Sequence, residues 1–217
     1  MKRLDSALLY AFVDTTYLDG RSPGLIAGQL CDGGADIVQL RAKDLTRDAI
    51  RAMALEILPV TRAAGVPLVI NDDWEMACEL GAEIAHLGQE DFFDAGHVHG
   101  RDLPGAGSAG PGEIPALGLS THGPEQAARA LKAEPAYIAI GPVFPTATKP
   151  GTPAVTLDYV RWAAMHVTIP WFAIGGIDLK NLDRVLEAGA RRICVVSAIL
   201  RAPDIVEACQ AFRRRLA

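Results

Sequence analysis

Hydrophobic positions along the chain gather into short apolar runs separated by longer amphipathic stretches. Eight runs, at 8–14, 37–41, 67–71, 84–87, 116–120, 136–141, 171–174 and 192–196, have the length and the β-branched character of strands. Between them apolar residues recur at helical spacing over 23–30, 47–64, 74–80, 124–132, 157–165, 182–187 and 205–216. Strand and helix alternate, and strands that are apolar on both faces predict a parallel sheet. Eight such units in 217 residues is the count that closes a (β/α)8 TIM barrel of the α/β class, with an open doubly wound sheet as the alternative. GGAD at 33–36, GAE at 81–83 and AGAR at 188–191 each end a helix directly before a strand, where glycine suits a left-handed cap. The Gly- and Pro-rich stretch 92–115 breaks the rhythm where a fourth helix is due, and reads as a mobile loop over an active site.

Composition narrows the class. Half of the 217 residues are hydrophobic, enough for one well-buried core, so one catalytic domain over 1–217 is expected. The net charge of -5 and the absence of a basic run argue against nucleic acid, although cations gathered in a pocket still suit a small anion. The first 14 residues read as a buried strand rather than a leader, and no apolar run approaches a membrane span. Cys31, Cys78, Cys194 and Cys209 show no CxxC spacing and read as packing residues with reduced thiols, which predicts a cytoplasmic protein.

A barrel of this kind carries its chemistry at the C-terminal ends of its strands. Nearly all the unusual polar residues fall there. Gln39, Arg41 and Lys43 stand at i, i+2 and i+4 and can face one side together, although pairing with surface carboxylates such as Asp44 would also explain the cations. Asn71, Asp72 and Asp73 end the third strand, and Gly88, Gln89, Glu90 and Asp91 are read as ending the fourth. Asp72 and Asp91 are hard oxygen ligands suited to magnesium, whereas Asp73 reads as the N-cap of the next helix. Ser120, Thr121 and His122 end the fifth strand; Thr146, Thr148 and Lys149 occupy the loop after the sixth. Gly175 and Gly176 with Val196 and Ser197 end the seventh and eighth, where barrels form a phosphate site.

QLRAKD at 39–44, NDD at 71–73, HLGQED at 86–91, GLSTH at 118–122, GPVFPTATK at 141–149 and AIGGI at 173–177, in this order, resemble the thiamine-phosphate synthase family over nearly the whole chain. The resemblance implies a transferase of thiamine biosynthesis. It would join 4-amino-2-methyl-5-hydroxymethylpyrimidine diphosphate to 4-methyl-5-(2-phosphoethyl)thiazole, or its carboxylated form, with release of pyrophosphate. It implies that Gln39, Leu40, Arg41, Ala42, Lys43, Asn71, Ser120 and Lys149 bind the pyrimidine diphosphate, with Arg41, Lys43, Ser120 and Lys149 catalytic. Asp72 and Asp91 would hold one magnesium ion per subunit, and Thr146, Ala147, Thr148, Gly176, Val196 and Ser197 would bind the thiazole phosphate. The partners are then small phosphorylated molecules, and the sequence leaves room for a homo-oligomer.

Three other readings compete. A thiazole tautomerase of the same family would use His122 to move a proton and would dispense with the pyrophosphate and magnesium residues, all of which are present. A Schiff-base aldolase would use Lys43 or Lys149 in an apolar pocket. A phosphate-binding sensor would bind without turnover. His122 reads as a hydrogen-bonded or packing histidine, and the segment holding His97 and His99, which only superficially resemble a metal pair, is longer than the family pattern shows.

Overall fold

Every apolar run is a strand in the computed structural model, which describes residues 4–108, 110, 112, 114–146 and 154–217. The strands are β1 (Leu9–Asp14), β2 (Ile37–Arg41), β3 (Leu68–Asn71), β4 (Ile84–Gly88), β5 (Ala116–Thr121), β6 (Tyr137–Ile140), β7 (Trp171–Ile174) and β8 (Ile193–Val195). They pair in parallel in chain order, and β1 also pairs with β8, so the sheet closes into a barrel. The helices are α1 (Pro23–Asp32), α2 (Arg47–Ala63), α3 (Trp74–Leu80), α4 (Gln89–Asp94), α5 (Pro124–Lys132), α6 (Thr156–His166), α7 (Leu182–Glu187), α8 (Ser197–Leu200) and α9 (Ile205–Leu216). No helix among the described residues is long and apolar enough to cross a membrane.

The period-2 alternation of each strand divides the core in two. Tyr10, Phe12, Ile37, Val69, Ile84, Tyr137, Phe172 and Cys194 fill the barrel interior. Their neighbours Leu9, Ala11, Val38, Leu40, Leu68, Ile70, Ile138 and Ala173 face outward, packed under the helices. The same parity continues to the strand ends and decides which polar side chains reach the mouth. Gly118 is part of this packing, because a Cβ there would sit 2.3 Å from the Tyr137 ring.

The expected helix ends hold, with one shift. Gly81 caps α3 in the left-handed region and Gly189 follows α7 at φ 103°, but after α1 it is Gly34, not Gly33, that takes positive φ. Ser22, Thr46, Asp73 and Asp204 accept from main-chain N–H groups in the first turns of α1, α2, α3 and α9.

Two departures touch the mouth of the barrel. Gln89, Glu90 and Asp91 do not extend β4; they form the first turn of α4, where acidic residues suit the helix dipole. The stretch 92–115 is therefore not wholly a loop, since it begins inside α4 and contains a 3-10 turn at Gly100–Asp102. It is anchored by buried Phe92 and Leu103 and by the Trp74 Nε1–H, which donates to Pro104 O at 2.9 Å. The second departure is α8, which starts at Ser197, a residue read as the end of the eighth strand.

Candidate active site

A cavity of about 310 Å³ opens at the C-terminal ends of the strands. Gln39 and Arg41, both inward by parity, line it together with Lys43 beyond the end of β2. Register brings the next groups alongside: Asp14 pairs with Arg41, Asn71 with His86, and Gly88 with Ser120.

One wall of the cavity is charged. Arg41 Nη1 donates to Asp14 Oδ2 at 2.7 Å, so the partner foreseen among surface carboxylates is a fully buried one at the end of β1. Lys43 Nζ stands 4.0 Å from Asp72 Oδ2, with both side chains about half exposed. Asp72 is held in the left-handed region at φ 61° by its own N–H, which donates to His86 O at 2.8 Å. Asn71 Nδ2 donates to Asp72 Oδ2 at 2.6 Å. The protein wall behind Asp72 excludes water and raises its pKa; Lys43 and the Asn71 amide oppose this, and the charge of Asp91 adds to it. Asp72 and Asp91 thus line the same wall as the cations Arg41 and Lys43.

The floor holds a hydrogen-bonded chain absent from the sequence reading. Gln39 Nε2 donates to the Tyr10 hydroxyl, the Tyr10 and Tyr137 hydroxyls are 3.0 Å apart, and Tyr137 Oη lies 2.9 Å from His86 Nδ1. Burial pushes both phenols well above their ordinary pKa, so they are neutral. The Gln39 amide N–H is the one fixed donor in this chain, which runs through the two phenols to the His86 imidazole. Tyr10 and Tyr137 lie within apolar runs, and Gly118 stands opposite Tyr137 in the register.

The opposite wall is built of main chain. Val143 N and Phe144 N donate to Ile174 O and Gly175 O at 2.8 and 3.0 Å, which seats the loop after β6 against the loop after β7 and delivers Thr146 to the cavity. Gly176, at φ 64°, presses so closely that a Cβ would lie 2.8 Å from Pro145 O. Asn181 Nδ2 donates to Gly176 O at 2.8 Å and fixes this turn from behind. Val196 and Ser197 line the cavity where α8 begins.

Gln39, Arg41, Lys43, Asn71, Asp72, Asp91, Ser120, Thr146, Gly176, Val196 and Ser197 therefore converge on one cavity. Leu40 and Ala42 do not line it, because their side chains turn into the helical layer and leave only their main chain for a ligand. Ala147, Thr148 and Lys149 lie outside the described residues. His122 lines the cavity with Nδ1 bonded to Gly141 O and its main-chain N–H donating to Gln126 Oε1, as expected of a hydrogen-bonded histidine. His99 bonds Lys132 O and His97 packs on Phe92, so the two serve separate contacts. Among the described residues no group of three or more His, Cys, Asp or Glu forms a metal cage.

Residues 9–199 match the pattern of a family described as thiamine monophosphate synthase. The chain belongs to that family. Thiamine-phosphate synthase of Thermus thermophilus is 48% identical over 192 residues, covering 85% of this chain and 84% of that protein. The thiamine-phosphate synthase of Acidothermus cellulolyticus is 42% identical and covers 99% of this chain and 97% of its own. Among solved structures, thiamine phosphate pyrophosphorylase from Pyrococcus furiosus superposes with a TM-score of 0.80 at 23% identity over 98% of this chain and 96% of that one. 3-Hexulose-6-phosphate synthase reaches 0.64 at 21% identity over 97% and 100%, so the barrel itself is shared beyond the thiamine monophosphate synthase family.

Proposed function

We propose that the protein is a thiamine-phosphate synthase, joining the aminopyrimidine diphosphate to the thiazole phosphate with release of pyrophosphate. The observation that carries this reading is the division of one cavity into a charged wall, with Arg41, Lys43, Asp72 and Asp91, and a main-chain wall at Gly176 and Ser197. A diphosphate fits the first and a phosphate monoester the second.

The bond that breaks joins the pyrimidine methylene carbon to the diphosphate oxygen, and its electron pair leaves with the diphosphate. Arg41 and Lys43 are placed to neutralise the charge that accumulates there. Electron donation from the pyrimidine amino group steadies the resulting cation. The thiazole nitrogen lone pair then forms the new carbon–nitrogen bond. That nitrogen carries no proton to remove, so positioning by the two walls outweighs acid–base chemistry. Ser120, between the walls, is assigned to the diphosphate, as is Lys149.

Asp72 and Asp91 fit a magnesium ion: they are hard oxygen donors, close enough for one to raise the pKa of the other, and they flank the diphosphate wall. When bound, the ion would supply Lewis-acid stabilisation of the departing oxygen. The aldolase reading through Lys43 is disfavoured, because its ammonium lies beside Asp72 and half in solvent rather than in an apolar pocket. The tautomerase reading is disfavoured by the intact charged wall. The deciding experiment is a magnesium-dependent assay with the two purified substrates, in which thiamine phosphate and pyrophosphate should appear in equal amounts. Isomerisation of a thiazole carboxylate without the pyrimidine diphosphate, or binding without turnover, would overturn the assignment.

A further inference from the structure

We propose that Asp14 is a positioning residue that sets the guanidinium of Arg41 before the diphosphate arrives. The proposal rests on the reading of Arg41 as a diphosphate ligand. Asp14 ends β1 directly opposite Arg41 in the register, and its side chain has no solvent exposure. Its two oxygens are divided. Oδ1 accepts from Thr16 N at 2.9 Å, which fixes the carboxylate from the main chain of the 3-10 turn Thr15–Tyr17. Oδ2 accepts from Arg41 Nη1 at 2.7 Å. Asp14 is not part of the cavity lining, whereas Arg41 is, so any effect of Asp14 on a ligand passes through Arg41.

A fully buried carboxylate is expensive unless it is paired, and capping a short turn needs no charge, since Asn or Ser would serve. The charge is therefore directed at Arg41. A long arginine side chain loses rotamer freedom when it grips an anion, and a guanidinium already fixed in plane loses less. Lys43 provides the contrast. It is half exposed and 4.0 Å from its carboxylate, whereas the Arg41 side chain is 14% exposed and bonded at 2.7 Å. One cation of the diphosphate wall is held in place, and the other is free to adapt.

The test is Asp14→Asn, which keeps an oxygen for the Thr16 N–H and removes the charge. Affinity for inorganic pyrophosphate, measured by titration calorimetry, should fall about tenfold, the effect of one charge-assisted hydrogen bond. kcat should fall with it, and the KM for the thiazole phosphate should stay at its wild-type value. In an Arg41→Gln background the same change should have no further effect on pyrophosphate affinity. Unchanged affinity with only a lower melting temperature would reduce Asp14 to a structural role and overturn the proposal, as would full additivity in the double variant. Should Asp14→Asn fail to fold, nitrogen-15 spectra of the unsubstituted protein decide. The guanidinium signals missing from Arg41→Lys should show hindered rotation without any ligand, and freely averaged signals would overturn the proposal. Wild-type protein that binds pyrophosphate but forms no thiamine phosphate would remove the synthase reading, while the affinity comparison would still settle the role of Asp14.

Discussion

Asp72 sits between opposing influences, with a water-excluding wall and Asp91 disfavouring its charge and Lys43 and Asn71 favouring it. A bound cation would relieve both the burial and the repulsion. Asp72→Asn is therefore expected to lower kcat by about a hundredfold or more, comparable to losing one fixed electrostatic contact in the transition state, with the circular dichroism spectrum unchanged. Full wild-type activity in EDTA would refute the metal assignment. At Gly176 the constraint is steric: φ is 64° and an added Cβ would lie 2.8 Å from Phe144 Cβ. Gly176→Ala should raise the KM for the thiazole phosphate and leave that for the pyrimidine diphosphate alone, and an unchanged thiazole constant would count against the main-chain wall. Gln39, Arg41 and Lys43 were legible in the sequence because inward positions repeat every second residue. Asp14 was not, because an acid ending a strand looks like an ordinary cap and its partner lies 27 positions away. Tyr10 and Tyr137 were hidden for a related reason: their hydroxyls meet only after the barrel closes.

At the scale of elements, each strand and most helices, the six-residue α7 among them, could be read from apolar spacing, whereas α4 and α8 could not. In the sequence their first residues, Gln89 to Asp91 and Ser197, read instead as the polar ends of the preceding strands. α4 follows β4 directly and α8 follows β8 after one residue, and both place a residue assigned to the site, Asp91 or Ser197, in their first turn. The β5–β6 pair offers a test of how closely elements fit inside the barrel. Gly118→Ala drives a methyl group into the Tyr137 ring, 2.3 Å away. Either Tyr137 shifts, which breaks the chain to His86, or the strands part. The expected result is a loss of about 1–3 kcal/mol in urea unfolding, as for overpacking, together with weaker binding of the pyrimidine substrate. Unaltered stability and KM would show that the floor tolerates the extra volume.

The whole molecule depends on joining its first and last elements. Asp36, just before β2, accepts from Leu8 N and Leu9 N at 2.8 and 3.0 Å and also from Arg213 of α9. Asp36→Ala leaves these donors unmet and should cost about 1–3 kcal/mol in denaturant unfolding, with both Michaelis constants unchanged. A shift in either constant would mean that this end of the barrel communicates with the mouth. The alternation of strand and helix made a closed barrel legible, since eight parallel units have few other ways to bury both faces. Which residues lock the closure was not legible, because Asp36 and Arg213 are 177 positions apart and each has nearer candidate partners in the sequence. The seam between β1 and β8, where Leu9 pairs with Ile193, also bears on how the chain is made. On the ribosome β1 emerges before every other strand, and its outer edge waits for the last of them. Until then its unpaired N–H and C=O groups form an open template for any passing strand. The finished barrel has no such edge, so the hazard belongs to the nascent chain. Polypeptides stalled before Ile193 should require a chaperone to remain dispersed, whereas full-length chains should not.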